Sequence, residues 1–408
     1  MKILVLVHAL PSPGSGGVEA VAVEQAHEWR RRGHKVQFLA RAAGGSEAPA
    51  EGRWRDIRVD GFDVREVGHD VGDPPSFRAL LVNDAFDAAL DDLFDSFAPD
   101  IVHVQHLVHL SLSLASRIRS RGVRLVVSLH DFFFSCDRLF LLDRDHQPCD
   151  GPDAGERCVA CLADRCSADD ALWRYEQGQQ ALRAADAIVV PSPSFGKKFA
   201  AGCGGPELPI EVIEPGLRFR PARRRRRREG EPLRMLFVGG FLPHKGIDLL
   251  IDALRQLDRD GWELEVRGHG TPGSAFEADV RARAAGLPVL WEGPFSAYEA
   301  PAIYRRTDLL ILPSRCMESW SRVVREARAA GCGVVAARAG GPADFLRDDR
   351  DAILVPPGSA SELADGIRIL LDHPPIFRRI SSARTVVPTV ADGIDGLEAL
   401  FDRLIAGR

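Results

Sequence analysis

The 408-residue sequence has no apolar run long enough to span a bilayer. It has no evident secretion signal either, because the short apolar start leads into a Gly-rich turn, as a buried first strand does. Neither half shows the G-x-G-x-x-G spacing of a dinucleotide site, and no Asp-x-Asp pair stands in a context that marks a metal site. These absences predict a cytoplasmic location and disfavour a nicotinamide-dependent oxidoreductase.

One block of charge stands out, although the net charge is only −5. Six consecutive arginines occupy Arg223–Arg228. Like charges in a block repel and usually mark a solvated segment, so an exposed linker is favoured over contact with anionic lipid or nucleic acid. We predict no nucleic-acid partner and keep peripheral contact with a membrane as the alternative.

Five of the eight cysteines lie within thirty-one residues. Cys158 and Cys161 form a C-x-x-C pair, and Cys136 and Cys149 could complete four thiolate ligands, with Cys166 left over. Four thiolates suit a tetrahedral structural zinc ion. A redox disulfide and plain buried thiols are the alternatives.

Apolar strands alternate with helical patterns along the whole chain, which favours an α/β protein with parallel sheets. We predict two doubly wound, Rossmann-like domains that face each other across a cleft, with ligands beyond the carboxyl ends of the strands. The N-terminal domain is predicted at 1–217, with a Cys-rich insertion at 132–168, and an Arg-rich linker follows at 218–232. The C-terminal domain is predicted at 233–390, and a final helix at 391–408 packs back on the first domain.

One Gly-rich loop follows the first strand of each domain. Gly14, Gly16 and Gly17 precede the first helix, where glycines allow a ligand close to the backbone and a helix start attracts anions. Gly240 and Lys245 stand at the matching place in the second domain, where a lysine suits a diphosphate by charge. A turn without a chemical role and a solvated lysine are the respective alternatives.

Glu318 and Glu326 follow the apolar run "DLLILPS". On one helix they would lie about 12 Å apart, which is too far to share a proton, so a paired-carboxylate hydrolase is disfavoured. We expect Glu318 in the loop after the strand and a helix that begins at Ser319 or Ser321, with Glu326 in its early turns. A ligand along this helix start would meet one acid at each end.

The stretch "PSRCMESWSRVVREARAAGCGVVAARAGGPADF" resembles the signature of the retaining glycosyltransferases of family 4, which have the GT-B fold. Further segments with the same resemblance run along nearly the whole chain: "SGGVE", "EWRRRGHKVQF", "PDIVHVQH", "SLHD", "FVGGFLPHKGIDLLIDAL" and "ILVPPGSASELADGI". Each is weak alone, but the combination is specific.

The resemblance implies a sugar-nucleotide donor held mainly by the second domain. Lys245 would neutralise its diphosphate, Glu326 would bind the ribose hydroxyls, and Glu318 would face the donor sugar. The backbone of the helix start and of the Gly-rich loops would complete the donor site, through Ser319, Trp320, Ser321, Gly16, Gly17 and Gly240.

His130 matches the family's histidine near the donor sugar, with Asp131 to orient it or to shape the pocket. The family often has an arginine where Phe241 follows Gly240, so either one cationic contact is missing or another residue, such as Arg322 or Arg315, supplies it. The acid after the Gly-Gly loop is Asp344 instead of the commoner glutamate.

The implied reaction retains configuration, needs no cofactor or metal for catalysis, and uses a glycan, lipid-linked or small-molecule acceptor. A lipid-linked acceptor would place the protein at the inner face of a membrane. A non-catalytic sugar-nucleotide or partner-binding protein of the same fold is the main alternative, but it would be expected to have lost residues such as Glu318, Glu326, Lys245 or His130. A pyridoxal-dependent phosphorylase would usually need a much longer chain.

Overall fold

The computed structural model describes residues 1–10, 16–44, 48–205, 207–221, 225, 227–228, 230–383 and 385–407. Gly14 and three arginines of the run Arg223–Arg228 therefore lie outside the described residues; these arginines are Arg223, Arg224 and Arg226. The chain divides into two compact units. The first comprises Met1–Gly216 with Val390–Arg408, and the second comprises Leu217–Thr389. No helix in the described ranges is both long and apolar enough to cross a membrane.

The described part of the first unit contains an eight-stranded sheet. Its strands are β1 Lys2–Val7, β2 Lys35–Arg41, β3 Trp54–Val59, β4 Phe62–Val67, β5 Ile101–Val104, β6 Arg124–Ser128, β7 Ala187–Val190 and β8 Ile210–Val212. They follow the order β3-β4-β2-β1-β5-β6-β7-β8, and only the pairing of β3 with β4 is antiparallel. The central strands are continuous apolar runs, as strands buried on both faces require.

The β3–β4 hairpin was not expected from the sequence, which indicated no strand between the second strand and residue 99. Strand β3, "WRDIRV", has exposed and half-buried residues in alternation, so it lacks the apolar run that identifies a central strand. It is the edge strand of the sheet, where charged residues are common because they discourage pairing with other chains.

Helices connect the parallel strands of the first unit. They are α1 Gly17–Arg31, α2 Asp84–Ser96, α3 Ser113–Ser120, α4 Glu156–Cys161, α5 Ala168–Ala184 and α6 Pro193–Phe199. Helix α2, also not expected, begins after Asn83, whose side-chain oxygen accepts a hydrogen bond from the Ala85 N–H at 2.9 Å. Phe132, Phe133 and Phe134, at the start of the Cys-rich segment, are all buried.

The described part of the second unit contains a six-stranded, all-parallel sheet. Its strands are β9 Leu233–Val238, β10 Trp262–Arg267, β11 Val289–Glu292, β12 Leu309–Leu312, β13 Gly333–Ala337 and β14 Ile353–Val355. The order is β11-β10-β9-β12-β13-β14. Strands β9, β12 and β13 are therefore neighbours, and the loops that follow their carboxyl ends meet at one edge.

The helices of the second unit are α7 Ile247–Arg255, α8 Ala275–Arg283, α9 Ala300–Arg306, α10 Arg322–Ala329, α11 Gly341–Phe345, α12 Ala360–Asp372 and α13 Pro374–Ser382. Helix α7 has the predicted amphipathic pattern and buries Leu250, Ile251 and Leu254 in the core beneath the sheet.

The last helix, α14 Val390–Ala406, belongs to the first unit. It packs on α1, where Phe401 lies 5.8 Å from the ring of Trp29. At the rim of this contact Glu398 accepts hydrogen bonds from Arg32 and pairs with His34, both at 2.9 Å. The end of the chain therefore completes the core of the unit that contains its beginning.

Candidate donor and sugar site

Lys245 and Glu318, which are 73 positions apart, lie in direct contact in the second unit. Lys245 ends a 3-10 turn at Pro243–Lys245 after β9, and Glu318 lies in the loop after β12. The Lys245 Nζ is 2.9 Å from Glu318 Oε1, and the Ser314 hydroxyl donates to the same oxygen at 2.6 Å. The sheet order thus brings together a cation and a carboxylate that the sequence only suggested separately.

This pair is ionised. Burial by itself favours the protonated acid, but Lys245 and Ser314 outweigh it and hold the pKa of Glu318 below its usual value. Burial likewise favours the neutral amine, but Glu318 outweighs it and raises the pKa of Lys245. The site therefore carries one fixed positive and one fixed negative charge at neutral pH.

The backbone around Lys245 is held by close contacts. Gly246 has φ +70°, and a Cβ there would lie 2.1 Å from the carbonyl oxygen of Pro313, so the loops after β9 and β12 can touch only at a glycine. Arg315 donates to the Pro243 carbonyl at 2.6 Å and forms a two-pronged ion pair with Asp248. These contacts hold the turn that carries Lys245.

The loop of Glu318 is held from its other side by the Gly-Gly segment after β13. Gly340 has φ +72°, and a Cβ there would lie 2.1 Å from the Glu318 carbonyl oxygen. That oxygen accepts a hydrogen bond from the Gly341 N–H at 2.8 Å. The Gly-Gly segment therefore places Glu318.

Helix α10 begins directly after this loop, at the N-cap Ser321. Ser321 has φ 59°, a left-handed conformation that is rare outside glycine, and its buried hydroxyl has no hydrogen-bond partner among the described residues. Its side chain also makes no capping hydrogen bond to the helix. A strained residue and an unpartnered hydroxyl at a helix start suit an anionic ligand.

Trp320 and Ser319, which precede Ser321, present different groups to a ligand at the start of α10. The ring of Trp320 is buried under the guanidinium of Arg325, at 4.4 Å, and Arg325 also donates to the Trp320 carbonyl. A ligand at this helix start would therefore meet the backbone of Trp320 and not its ring. Ser319 is half-buried in the same loop.

Glu326 lies in α10, buried, and both of its oxygens are engaged. Tyr304 of α9 donates its hydroxyl to Oε2 at 3.0 Å, and Arg322 donates to Oε1 at 2.7 Å. Burial, and next to it Glu326, raises the pKa of Tyr304 well above its usual value, so Tyr304 stays a donor. Tyr304 could not be predicted from the sequence, because no local motif links it to Glu326.

Gly240 lies in the turn after β9, where a Cβ would meet only the Leu242 side chain and the His269 carbonyl, no closer than 3.4 Å. Phe241, which stands where the family often has an arginine, is buried in the core. The two cations suggested in its place are both paired with carboxylates, Arg315 with Asp248 and Arg322 with Glu326.

In the first unit His130 follows β6 and belongs to a chain of hydrogen bonds. Its Nε2 lies 2.8 Å from Gln105 Oε1, and Gln105 donates its amide N–H to Gln25 at 2.8 Å. The Gln105 oxygen must accept, so His130 carries its proton on Nε2. Burial, assisted by His106, lowers the pKa of His130 to about 4, so the ring is neutral at neutral pH.

Asp131 pairs with His106 in this structure. His106 Nε2 lies 3.0 Å from the Asp131 carboxylate, while the Val108 N–H donates to His106 Nδ1 at 2.9 Å. Asp131 was expected to orient His130 or to shape the pocket. In this structure its side-chain partner is His106, which was not predicted. His106 directly follows the strand run "IVHVQ", and that position was the available signal.

Gly16 and Gly17 are exposed at the start of α1. The Gly16 N–H already donates to the carboxylate of Glu19, which also accepts from His8 Nε2 at 3.1 Å. Burial opposes ionisation of Glu19, but these contacts outweigh it and hold its pKa below the usual value. His8, another residue directly after a strand, was also missed.

The cysteines of the predicted zinc site do not form a metal site as placed. The described residues contain no group of three or more His, Cys, Asp or Glu side chains arranged to hold a metal ion, and Cys136, Cys149, Cys158 and Cys161 are free thiols. Burial, and next to it Cys136, raises the pKa of Cys158 to about 12, so this thiol is protonated at neutral pH. The zinc hypothesis stays a prediction.

Two family models match the chain. The model described as Glycosyltransferase Family 4 matches residues 15–218, and the model described as Glycosyl transferases group 1 matches residues 232–373. The chain is 29% identical to D-inositol 3-phosphate glycosyltransferase 1 of Catenulispora acidiphila, over 99% of this chain and 94% of that protein. It is 28% identical to D-inositol 3-phosphate glycosyltransferase of Mycobacterium tuberculosis, over 90% and 75%.

Solved structures show the same fold at low sequence identity. Sucrose-phosphate synthase from Thermosynechococcus elongatus matches with a TM-score of 0.71 and 18% identity, over 99% of this chain and 96% of that one. Anabaena HepE in complex with UDP and glucose matches with a TM-score of 0.70 and 18% identity, over 99% and 100%. The chain has the GT-B fold and belongs to glycosyltransferase family 4.

Proposed function

We propose that this glycosyltransferase moves a sugar, with retained configuration, from a nucleotide-diphosphate sugar to a glycan, lipid-linked or small-molecule acceptor. The contact between Lys245 and Glu318 beside the start of α10 carries the proposal. It joins a cation for a diphosphate, a carboxylate for a sugar hydroxyl, and a helix start that favours anions.

Lys245 would act on the leaving group. When the bond between the sugar and the diphosphate breaks, negative charge grows on the phosphate oxygens, and preorganised positive groups stabilise that charge. An ammonium has three N–H donors, so Lys245 can keep its contact with Glu318 and still donate to a phosphate oxygen. The N–H groups at the start of α10 would also donate to the phosphate oxygens, so that the protein itself would supply the stabilising positive charge.

Glu318 and Glu326 would recognise the two ends of the donor. Glu318 receives both of its hydrogen bonds at Oε1, which leaves Oε2 for a sugar hydroxyl. Glu326 would accept from the ribose hydroxyls, in exchange for or beside the Arg322 contact. His130 would present its neutral ring near the donor sugar.

A uridine diphosphate sugar is the first donor to test. The Anabaena HepE structures contain UDP and UDP-glucose, and HepE matches the whole of this chain in fold. The curated relatives are named for an inositol phosphate acceptor, which makes a small phosphorylated acceptor one candidate for this chain.

The test is donor binding with matched variants. A panel of UDP-, GDP-, ADP- and dTDP-sugars is screened for thermal stabilisation, and the best donor is titrated by calorimetry. We expect Lys245→Ala and Glu326→Ala each to weaken donor binding about tenfold or more, since each removes a charged contact. Lys35→Ala, which changes an exposed lysine on β2, serves as the control.

Unchanged donor affinity in Lys245→Ala and Glu326→Ala would contradict the proposal. The stereochemistry is checked separately, because an α-linked donor must give an α-linked product, which proton NMR of the product resolves. Turnover that persists in a chelator would support the absence of a metal from the catalytic step.

A further inference from the structure

A second polar cluster lies at the carboxyl edge of the first sheet. It contains His8, Arg41, His69 and His109, which follow or end the strands β1, β2, β4 and β5. His8 was met above through its contact with Glu19, whereas Arg41, His69 and His109 have no role in the candidate site described so far.

The strand register brings the cluster together. Val7 of β1 pairs with Ala40 of β2, so His8 is level with Arg41, and Arg41 pairs with Val67 of β4, two residues before His69. Leu6 pairs with Val104 of β5, so His8 is also level with His106, whose ring is 5.2 Å away. Four neighbouring strand ends therefore converge on one place.

Arg41 is a half-buried cation without a counter-charge among the described residues. It forms no ion pair there, its Nε is buried without a hydrogen-bond partner, and its one contact is a 3.5 Å approach to the Ala42 carbonyl. Partial burial lowers the pKa of Arg41. An unpaired charge that is partly withdrawn from water is favoured by a nearby anion.

His69 adds a buried ring nitrogen that has no partner in the described chain. Its Nδ1 lies 2.9 Å from the Asn83 side-chain nitrogen, whose neighbouring oxygen caps α2, and 3.2 Å from the Glu51 carboxylate. Its Nε2 is buried without a partner, in a side chain that is only 2% exposed.

His8 and His109 complete the cluster. His8 directs Nε2 at Glu19 and keeps Nδ1 buried without a partner. His109 has φ 59°, a conformation that costs energy and is commonest at functional sites. Burial, and next to it the charge of Arg41, lowers the pKa of His109 to about 4.

We propose that His8, Arg41, His69 and His109 bind a phosphate group carried by the acceptor. The cluster offers the guanidinium of Arg41 and imidazole nitrogens from three further strand ends, of which His8 Nδ1 and His69 Nε2 are buried without a partner. Glu19 pairs with His8 and Glu51 pairs with His69, so Arg41 is the charge left for an anion. A phosphate presents three terminal oxygens to these groups, whereas a carboxylate presents two. The donor's diphosphate already has Lys245 and the start of α10. The assignment to the acceptor rests on the proposed glycosyl transfer, whereas the anion site itself does not.

Binding of inorganic phosphate tests the site. Calorimetry is carried out with UDP, or the nucleoside diphosphate that stabilises the protein most, held at saturation so that the donor site is filled. We expect Arg41→Gln to bind phosphate about tenfold or more weakly than the unmodified protein. Arg58→Gln, which changes an exposed arginine on β3, should bind it as the unmodified protein does.

Further variants separate this site from the donor site. Lys245→Ala should lose nucleotide binding and keep phosphate binding that depends on Arg41, so a failure of the proposed function is distinguished from a failure of this inference. His109→Asn, which tolerates the left-handed backbone, gives a second measurement if Arg41→Gln does not fold. Equal phosphate affinity in the unmodified protein and in the folded variant would overturn the proposal.

The same titration identifies the kind of anion and its source. Acetate should not displace phosphate, and displacement at equal concentration would overturn the assignment to phosphate. Glycerol 3-phosphate represents a soluble phosphorylated acceptor, and phosphatidylcholine vesicles with phosphatidic acid represent a lipid-linked one. Arg41-dependent binding to either supports the proposal and shows which source applies, and binding to neither contradicts the acceptor assignment.

Discussion

Single residues of the candidate donor site are held by partners far away in the chain. Glu326 depends on Tyr304 and Arg322, and Lys245 depends on Glu318. A buried carboxylate that accepts two directed hydrogen bonds keeps one orientation. The chemistry of this site therefore includes residues that would not touch the donor.

Tyr304→Phe tests this positioning. The substitution removes the hydrogen bond that the Tyr304 hydroxyl donates to Oε2 of Glu326. A hydrogen bond to a charged group is worth about 1.5–3 kcal/mol, so we expect donor affinity to fall roughly tenfold. The Michaelis constant for the donor should rise more than the turnover number falls. Tyr298→Phe is the matched control, since Tyr298 is 96% exposed.

Equal donor affinity in Tyr304→Phe and Tyr298→Phe, with both proteins folded, would show that Tyr304 only fills space. A fall in melting temperature without a change in the donor Michaelis constant would lead to the same conclusion.

At the scale of elements, the second unit builds its site from three loops after neighbouring parallel strands. The loops after β9, β12 and β13 touch at Gly246 and Gly340, where no side chain would fit. Close backbone contact makes the relative positions of Lys245, Glu318 and the start of α10 independent of side-chain rotamers.

Gly340→Ala should disrupt this arrangement. Gly340 has φ 72° and ψ −142°, a conformation that is essentially restricted to glycine and costs another residue about 1–3 kcal/mol, and the added Cβ would also collide with the Glu318 carbonyl. Gly358→Ala is the control for the backbone cost alone, because Gly358 has φ +83° and open space around it. We expect only Gly340→Ala to lose donor affinity, by calorimetry, and to lose more stability than the control by chemical unfolding.

If both alanine variants lost the same stability and kept the donor, the contact between Gly340 and Glu318 would have no role in placing the site.

The Cys-rich segment is the other element that can be tested directly. The zinc hypothesis predicts one equivalent of zinc per chain in purified protein, and the loss of that metal when Cys158 and Cys161 are both replaced by serine. Cys332, which is buried in the second unit, provides the control substitution. Elemental analysis that finds less than a tenth of an equivalent would remove the hypothesis and leave buried thiols.

At the scale of the whole molecule, each unit has its own apolar core, and buried histidines connect the stability of the first unit to pH. His103 is fully buried, with its nitrogens hydrogen-bonded to Ser128 and Gln105. Burial, and next to it the neighbouring His130, lowers the pKa of His103 to about 3.

We therefore expect stability to fall as the pH falls below about 6.5. The unfolded chain takes up a proton at His103 near pH 6.5 whereas the folded chain does not, so protonation favours unfolding by about 2 kcal/mol at pH 5. Melting temperatures between pH 7 and pH 5 test this, above the range in which carboxylates titrate. His130 and His109, whose pKa values are lowered to about 4, act in the same direction, so His103→Gln should weaken the dependence without removing it. A melting temperature that is constant over this range would contradict the prediction.

Much of the fold could be predicted because it depends on local patterns. Parallel central strands are apolar runs and their connecting helices are periodic, and all such strands of the second unit were recognised. Strand β3 was missed because it is a charged edge strand, and β4 and α2 were missed with it. Glu318, Glu326 and Lys245 could be predicted from the Gly-rich loops near them and from the resemblance to glycosyltransferase family 4. The sequence signal for Tyr304, His8 and His106 was only a position near a strand or a helix.

The sequence by itself determined the succession of strands and helices, the glycines between them, and the spacing of Glu318 and Glu326, because each depends on neighbours along the chain. Only the tertiary structure decided that Lys245 meets Glu318 across 73 positions, that Tyr304 orients Glu326, and that His8, Arg41 and His69 converge. Such contacts follow from strand order and register, which set distances between side chains that no local spacing can encode.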